Sequence, residues 1–140
     1  ARWNAEITDG LLAGAVRALA RHNISGDSVE QYRVPGAFEL PLMARDLAAS
    51  GRYAAIIALG CVIRGDTAHF DYVAGEAARG IMNAGLATGV PVIFGVLTVE
   101  NRAQAEERAD PSRMNKGGEA IEAAIEMATL LRGLDAGSEG

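Results

Sequence analysis

Cysteine is nearly absent from this chain of 140 residues, which contains Cys61 alone. A single cysteine excludes an intrachain disulfide, and the sequence shows no charged-then-apolar leader, so we expect a protein of the reducing cytoplasm. Basic residues are also scarce, with 13 Lys and Arg against 18 Asp and Glu, for a formal net charge of -5. They form no basic stripe, which argues against a nucleic-acid-binding surface.

Several sequence motifs are missing as well. No apolar run reaches the ~18 residues that a bilayer requires, so no membrane span is expected. The two histidines and the cysteine do not show the spacing of a metal site, and neither a Gly-x-Gly-x-x-Gly loop nor a Walker-type loop occurs. What remains is a composition that is 49% hydrophobic and 22% charged. It fits one globular domain over residues 1–140.

Apolar periodicity divides this domain into strands and helices. Nearly continuous or alternating apolar segments predict strands, whereas a repeat near every fourth residue predicts helices. The predicted strands are 28–34, 53–63 and 90–97. The predicted helices are 6–22, 39–50, 68–88, 101–108 and 117–134. The last residues of the sequence, 133–140, are small and polar, which predicts a frayed tail.

The order of these elements predicts an α/β fold, a three-layer αβα sandwich around a parallel, flavodoxin-like sheet. Three strands are few for a sheet that is covered on both faces. The opening Ala1-Arg2-Trp3-Asn4 runs straight into a helix, as the last residues of a strand do. We therefore expect one more strand, either before Ala1 or supplied by other means.

The run from Gly60 to Val73 is the most informative segment, because an apolar strand there leads through a Gly-containing turn into a helix. Ligands bind at such junctions in open α/β sheets. The N–H groups of the turn and the positive end of the helix favour an anion, so the turn predicts a phosphate site. His69 follows just inside the helix, and imidazole exchanges protons near neutral pH.

The carboxyl ends of parallel strands meet at one edge, so three segments are expected to converge there: 2–4, 35–39 and 64–69. Trp3 and Phe38 offer flat apolar faces to a heteroaromatic ring, and Asn4 and Glu39 offer hydrogen bonds. Each residue also has a simpler interpretation. Trp3 would be a core residue, Glu39 a helix cap and His69 an ordinary helix residue. The predicted convergence favours ligand binding.

Three other residues have competing interpretations. Arg108 precedes a break between helices that holds two more cations, which predicts a solvated surface loop. Alternatively, a neighbouring subunit brings Arg108 to the phosphate turn as a bidentate clamp. Cys61 is predicted to be a small buried side chain rather than a nucleophile, and His22 a surface residue at a helix end. The residues alone thus indicate an α/β domain that binds a phosphorylated or planar ligand.

The same residues resemble the lumazine synthase family. The most specific stretch is Val-Ile-Arg-Gly-acid-Thr-x-His-aromatic-Asp-Tyr-Val at 62–73. Further landmarks follow in order along nearly the whole chain: Arg2-Trp3-Asn4, Ile7-Thr8-Asp9-Gly10, Val34 to Pro41, Gly89 to Thr98, Asn115-Lys116-Gly117 and Glu126-Met127. The resemblance implies condensation of 5-amino-6-(D-ribitylamino)uracil with 3,4-dihydroxy-2-butanone 4-phosphate. The products would be 6,7-dimethyl-8-ribityllumazine, phosphate and water, in the penultimate step of riboflavin biosynthesis.

The resemblance also implies roles for individual residues. His69 would transfer protons, and the turn Gly65-Asp66-Thr67 would bind phosphate together with Arg108 of an adjacent subunit. Residues that would line the pyrimidine and ribityl pocket are Trp3, Asn4, Ala37, Phe38, Glu39, Val62 and Ile63. Two more residues would join them from the adjacent subunit, Phe94 and Lys116. On this resemblance, no metal or organic cofactor is needed.

A homo-oligomer is a further implication of the resemblance. The stretch 108–116 lacks the Gly-Thr-Lys-x-Gly pattern of members that build sixty-subunit shells, which favours a free pentamer over an icosahedral shell. An alternative function on the same fold is a catalytically silent module that binds flavin or lumazine. The presence of both His69 and Arg108 argues against that alternative.

Overall fold

The computed structural model describes residues 1–139 of the chain. Within them the elements follow in the order α1 (Ala5–Arg21), α2 (Leu40–Ala49), β1 (Ile56–Ile63), α3 (His69–Thr88), β2 (Val92–Val99), α4 (Arg102–Ala109) and α5 (Lys116–Glu139). Short 3-10 turns occupy Gly26–Ser28 and Ala37–Glu39. No helix in this part of the chain is both long and apolar enough to cross a membrane.

The two strands form a parallel pair whose register runs from Ile56 opposite Val92 to Ile63 opposite Val99. Side chains alternate between the two faces of a strand. Ala58 and Val62 accordingly join a core cluster with α2 and α3. The intervening Cys61 joins a second cluster with α1 and α4. Both faces of the sheet are therefore covered, and the predicted αβα arrangement is confirmed.

The prediction of a strand at 28–34 is wrong. Its residues carry no strand assignment, and a cavity of about 540 Å³ lies between this segment and β1. A strand needs backbone hydrogen bonds to a neighbour about 4.8 Å away, and the cavity occupies that place. The finding fits the expectation of one more strand. Ala1 lies beside the cavity, where its ammonium group donates to the Leu59 carbonyl at 2.8 Å.

The predicted end of the last helix at residue 134 is wrong, whereas fraying of the tail 133–140 stays a prediction. α5 continues to Glu139, because glycine and serine in a last turn lower helix propensity without ending a helix that is already nucleated. Gly140 lies outside the described residues. The other predicted helices are confirmed, with ends that differ by one residue. Gly89 ends α3 with a left-handed φ of 73°, as its position in the sequence predicts.

Candidate active site

Asn4 ties the start of the chain to the end of β1. Its Nδ2 donates to the Cys61 carbonyl at 3.1 Å, while its own carbonyl accepts the N–H groups of Ile7 and Thr8, both at 3.0 Å. Asn4 adopts a left-handed φ of 60°, a conformation that Asn tolerates better than most residues. One residue thus begins α1 and fixes it at the carboxyl edge of the sheet.

Trp3 stands at this edge and is 64% exposed. Its N–H donates to the Pro35 carbonyl at 3.0 Å, and the N–H of Arg2 donates to the Val34 carbonyl at 2.7 Å. The interpretation of Trp3 as a core residue is therefore wrong for this chain. The ring is available to a ligand, as an aromatic platform requires.

Glu39 ends the 3-10 turn at Ala37–Glu39, directly before α2. Glu39 occupies the N-cap position of α2, but its side chain makes no capping hydrogen bond, so only the position and not the bond of the predicted cap is present. Its Oε2 atom is buried and has no hydrogen-bond partner among the described residues. Leaving a buried acceptor unpaired costs about 1–3 kcal/mol. Such an oxygen suits a ligand hydroxyl, and next to it Phe38 is 57% exposed while Ala37 is buried.

The turn after β1 brings the predicted anion site to the same edge. Gly65, Asp66 and Thr67 are exposed, and Thr67 Oγ1 accepts the backbone N–H of His69 at 3.3 Å. His69 is the first residue of α3 and is itself exposed. The positive end of this long helix and the free N–H groups of the turn favour an anion beside the imidazole.

The start of α3 also packs against the neighbouring segments of the site. Phe70 and Val73 contact the core cluster that contains Ala37 and the buried Val62, the residue before the half-buried Ile63. The turn at 37–39, the end of β1 and the start of α3 are therefore adjacent. Together with Trp3 and Asn4, they form the convergent edge that the sequence predicts.

Arg64 is a residue that the sequence reasoning did not single out. Its Nε lies 2.8 Å from a Glu100 carboxylate oxygen, and its Nη1 lies 3.6 Å from Asp71. The guanidinium also lies over the Phe70 ring, 4.4 Å from the centroid. Because two carboxylates and a ring engage Arg64, it holds the turn to β2 and α3 and is poorly placed to bind phosphate. No spacing pattern in the sequence predicts the contact between Arg64 and Glu100.

Three predicted site residues are not joined to this edge within one chain. Phe94 pairs with Ala58 in the middle of β2 and is 43% exposed. Arg108 lies in the last turn of α4, and its Nη1 donates to the carbonyl of Gln104 at 3.2 Å. Lys116, the first residue of α5, forms an ion pair with Glu119 at 2.8 Å. Their predicted roles require a neighbouring subunit.

Cys61 is buried at 6% exposure, and burial raises the pKa of its thiol to about 11. A neutral, enclosed thiol is a poor nucleophile, which agrees with the prediction of a structural side chain. Among residues 1–139, no group of three or more His, Cys, Asp or Glu side chains is placed to hold a metal ion. The chemistry of the edge is thus that of an aromatic platform, a free carboxylate oxygen, an anion turn and one imidazole.

This combination defines an α/β protein in which the carboxyl edge of the sheet has the chemistry to suit a planar, hydroxylated ligand and an anion. Comparison with known proteins makes the class specific. The sequence model of the 6,7-dimethyl-8-ribityllumazine synthase family matches residues 1–132. A 6,7-dimethyl-8-ribityllumazine synthase of Xylella fastidiosa (strain 9a5c) is 54% identical over 133 residues, which cover 95% of this chain and 86% of that protein. The chain belongs to the 6,7-dimethyl-8-ribityllumazine synthase family.

Proposed function

We propose that this chain is a transferase that condenses 5-amino-6-(D-ribitylamino)uracil with 3,4-dihydroxy-2-butanone 4-phosphate to form 6,7-dimethyl-8-ribityllumazine, in riboflavin biosynthesis. The observation that carries the proposal is the convergence of Trp3, Glu39 and the 65–69 turn at one edge, in a chain that the family model matches from 1 to 132. An aromatic ring, a carboxylate oxygen and an anion turn suit the ring, hydroxyl groups and phosphate of these substrates.

The pyrimidine substrate would bind between the exposed aromatic side chains of Trp3 and Phe38. The unpaired Glu39 Oε2 would accept a hydrogen bond from a ribityl hydroxyl, which removes the cost of an unsatisfied buried oxygen. Asn4 and Ala37 would line the same pocket. The backbone of Val62 and Ile63, at the end of β1, would face the uracil edge.

The second substrate would place its phosphate in the turn Gly65-Asp66-Thr67. The amine of the pyrimidine then forms an imine with the ketone and releases water, phosphate is eliminated, and tautomerisation, ring closure and a second dehydration complete the product. His69 would give and take the protons, which for a placed general acid–base contributes about 10²–10⁴-fold. Holding the two reactants in one geometry supplies a further ~7–11 kcal/mol.

The complete site would form between subunits of a homo-oligomer, for which a pentamer is favoured over a shell. Phe94, Arg108 and Lys116 would complete a neighbour's pocket, with Arg108 clamping the phosphate. Exposed apolar side chains support an interface on the β2 side of the molecule: Met82, Leu86, Phe94 and Met127. Analytical ultracentrifugation tests the assembly, because a monomer would exclude shared sites.

Mixing the purified protein with both substrates tests the reaction directly. The lumazine chromophore should appear with phosphate release and without added metal or cofactor. The alternative is a silent module on the same fold that binds flavin or lumazine. Riboflavin binding without turnover would support that alternative and overturn the proposed reaction. The cytoplasmic location is likewise a proposal, which cell fractionation tests.

A further inference from the structure

Gly36 lies directly beneath the only tryptophan of the chain. A Cβ atom built on Gly36 would overlap Cε3 of Trp3 and would lie 2.7 Å from Cζ3 and 3.2 Å from Cδ2 of the same ring, and these are its three nearest neighbours. Contacts between carbon atoms normally lie at about 3.5–4.0 Å. The Trp3 indole therefore occupies the space in which any side chain at position 36 would stand.

The backbone conformation of Gly36 does not itself require glycine. Its φ of -153° and ψ of -175° are extended values that every residue adopts. An alanine at this position would meet no conformational strain. The requirement at position 36 is therefore one of space, and the indole is what fills that space.

The main chain on both sides of this contact is held by hydrogen bonds. The Trp3 N–H donates to the Pro35 carbonyl at 3.0 Å, and the Glu39 N–H donates to the Gly36 carbonyl at 3.2 Å. The Trp3 side chain, by contrast, is 64% exposed, so a change in its side-chain torsions disturbs little packing. A methyl group at position 36 would consequently displace the ring rather than the backbone.

We infer that Gly36 is a positioning residue, whose missing side chain places the Trp3 indole where it stacks on the pyrimidine. The inference rests on the proposed function for its ligand. Gly36 does not touch the reacting atoms, and it acts through Trp3 alone. Any side chain at position 36 would displace the Trp3 indole and weaken its stacking on the pyrimidine.

The Gly36→Ala variant tests this inference, with Gly26→Ala as a matched control. A Cβ at the exposed Gly26 would meet no atom within 4 Å. The emission of the single tryptophan should change in Gly36→Ala without any ligand present. The KM for the pyrimidine should rise about 3- to 10-fold, the range expected of one aromatic stack. The KM for the butanone phosphate should not change, and Gly26→Ala should match the wild type in every measurement.

A double-mutant cycle separates positioning from a general structural effect. Phenylalanine lacks the second ring to which Cε3 and Cζ3 belong, so Trp3→Phe removes the overlap. In that background Gly36→Ala should raise the pyrimidine KM less than twofold, since coupled residues are not additive. Equal effects in both backgrounds, or unchanged tryptophan emission in Gly36→Ala, would overturn the inference. A wild type that forms no lumazine would instead refute the proposed function, while the emission result still stands.

Discussion

The two ends of the sheet differ in whether a glutamate side chain finds hydrogen-bond partners within the protein. At the amino end, Glu30 accepts hydrogen bonds from Tyr32 and Tyr53, both at 2.5 Å, and from Arg52 at 2.6 Å. At the carboxyl end, the buried Glu39 Oε2 has no hydrogen-bond partner within residues 1–139. Both residues are glutamates beside the same sheet, yet only Glu30 has all of its described hydrogen bonds supplied by the protein. The hydrogen-bonding capacity of Glu30 is therefore used within the protein, whereas the buried oxygen of Glu39 keeps a capacity that suits a ligand hydroxyl.

Replacing the imidazole at the carboxyl end has the largest expected effect. His69→Ala should lower turnover about 10²–10⁴-fold, because a placed acid–base group is lost, while pyrimidine binding stays close to that of the wild type. His22→Ala is the matched control, since His22 pairs with Glu122 at 2.8 Å on another surface and should leave turnover unchanged. Steady-state kinetics check both variants. Full turnover in His69→Ala would remove this histidine from the mechanism.

Arg108→Ala should have the next largest effect. A charged hydrogen bond contributes about 1.5–3 kcal/mol, so the KM for the butanone phosphate should rise roughly 10- to 100-fold. Arg113→Ala serves as a control, because Arg113 lies in the loop directly after α4 and pairs with Glu107 only at 3.9 Å. An unaltered KM for the phosphate substrate in Arg108→Ala would contradict the proposed clamp.

A pair of glutamate variants sharpens the comparison between the two ends. Glu39→Ala should raise the pyrimidine KM about tenfold, because a hydrogen bond to the ribityl chain is lost. Its Tm should not fall, since the deleted Oε2 has no partner in the part of the chain that the structure describes. Glu30→Ala should show the reverse pattern, a lower Tm and an unchanged KM. Thermal unfolding and kinetics measured on both variants would break the comparison if the two patterns coincide.

The smallest effect concerns pH. Hydrogen bonds from Tyr32 and Tyr53 hold the pKa of Glu30 below its ordinary value of 4.5. A carboxyl group whose pKa is lowered by folding stabilises the fold above its unfolded pKa, and this contribution disappears as pH falls through the folded pKa. The difference in Tm between wild type and Glu30→Gln should therefore be largest near neutral pH and shrink below about pH 4.5. A difference that is independent of pH would contradict this assignment.

The sequence predicts those elements whose signal lies within the element itself. β1 and β2 follow from local apolar runs, and α3 follows from a long Ala-rich segment that ends at Gly89. The segment 28–34 carries the alternation of a strand, but a strand also needs a hydrogen-bonding neighbour, and a local pattern does not supply one. The extension of α5 beyond residue 134 is missed for a related reason, since a helix propagates through weak formers once nucleated.

The residues of the candidate site likewise differ in whether the sequence predicts them. Trp3, Glu39 and His69 can be named from predicted strand ends, because parallel strands bring their carboxyl ends together, although only His69 follows a strand among the described residues. Two other contacts join residues that are distant in sequence. The Trp3 ring packs on Gly36, and Arg64 forms an ion pair with Glu100. Only the fold brings these residues into contact, so no spacing in the chain predicts them.

Asn4 has a consequence for which sequences this fold accepts. Its left-handed φ of 60° is comfortable for glycine and tolerable for asparagine or aspartate. Its bond to the Cys61 carbonyl needs a side-chain N–H donor, which glycine and an ionised aspartate lack. Among the common residues, asparagine alone meets both demands well. Random mutagenesis at this position should therefore return almost no neutral replacement, although Asn4 is only half-buried.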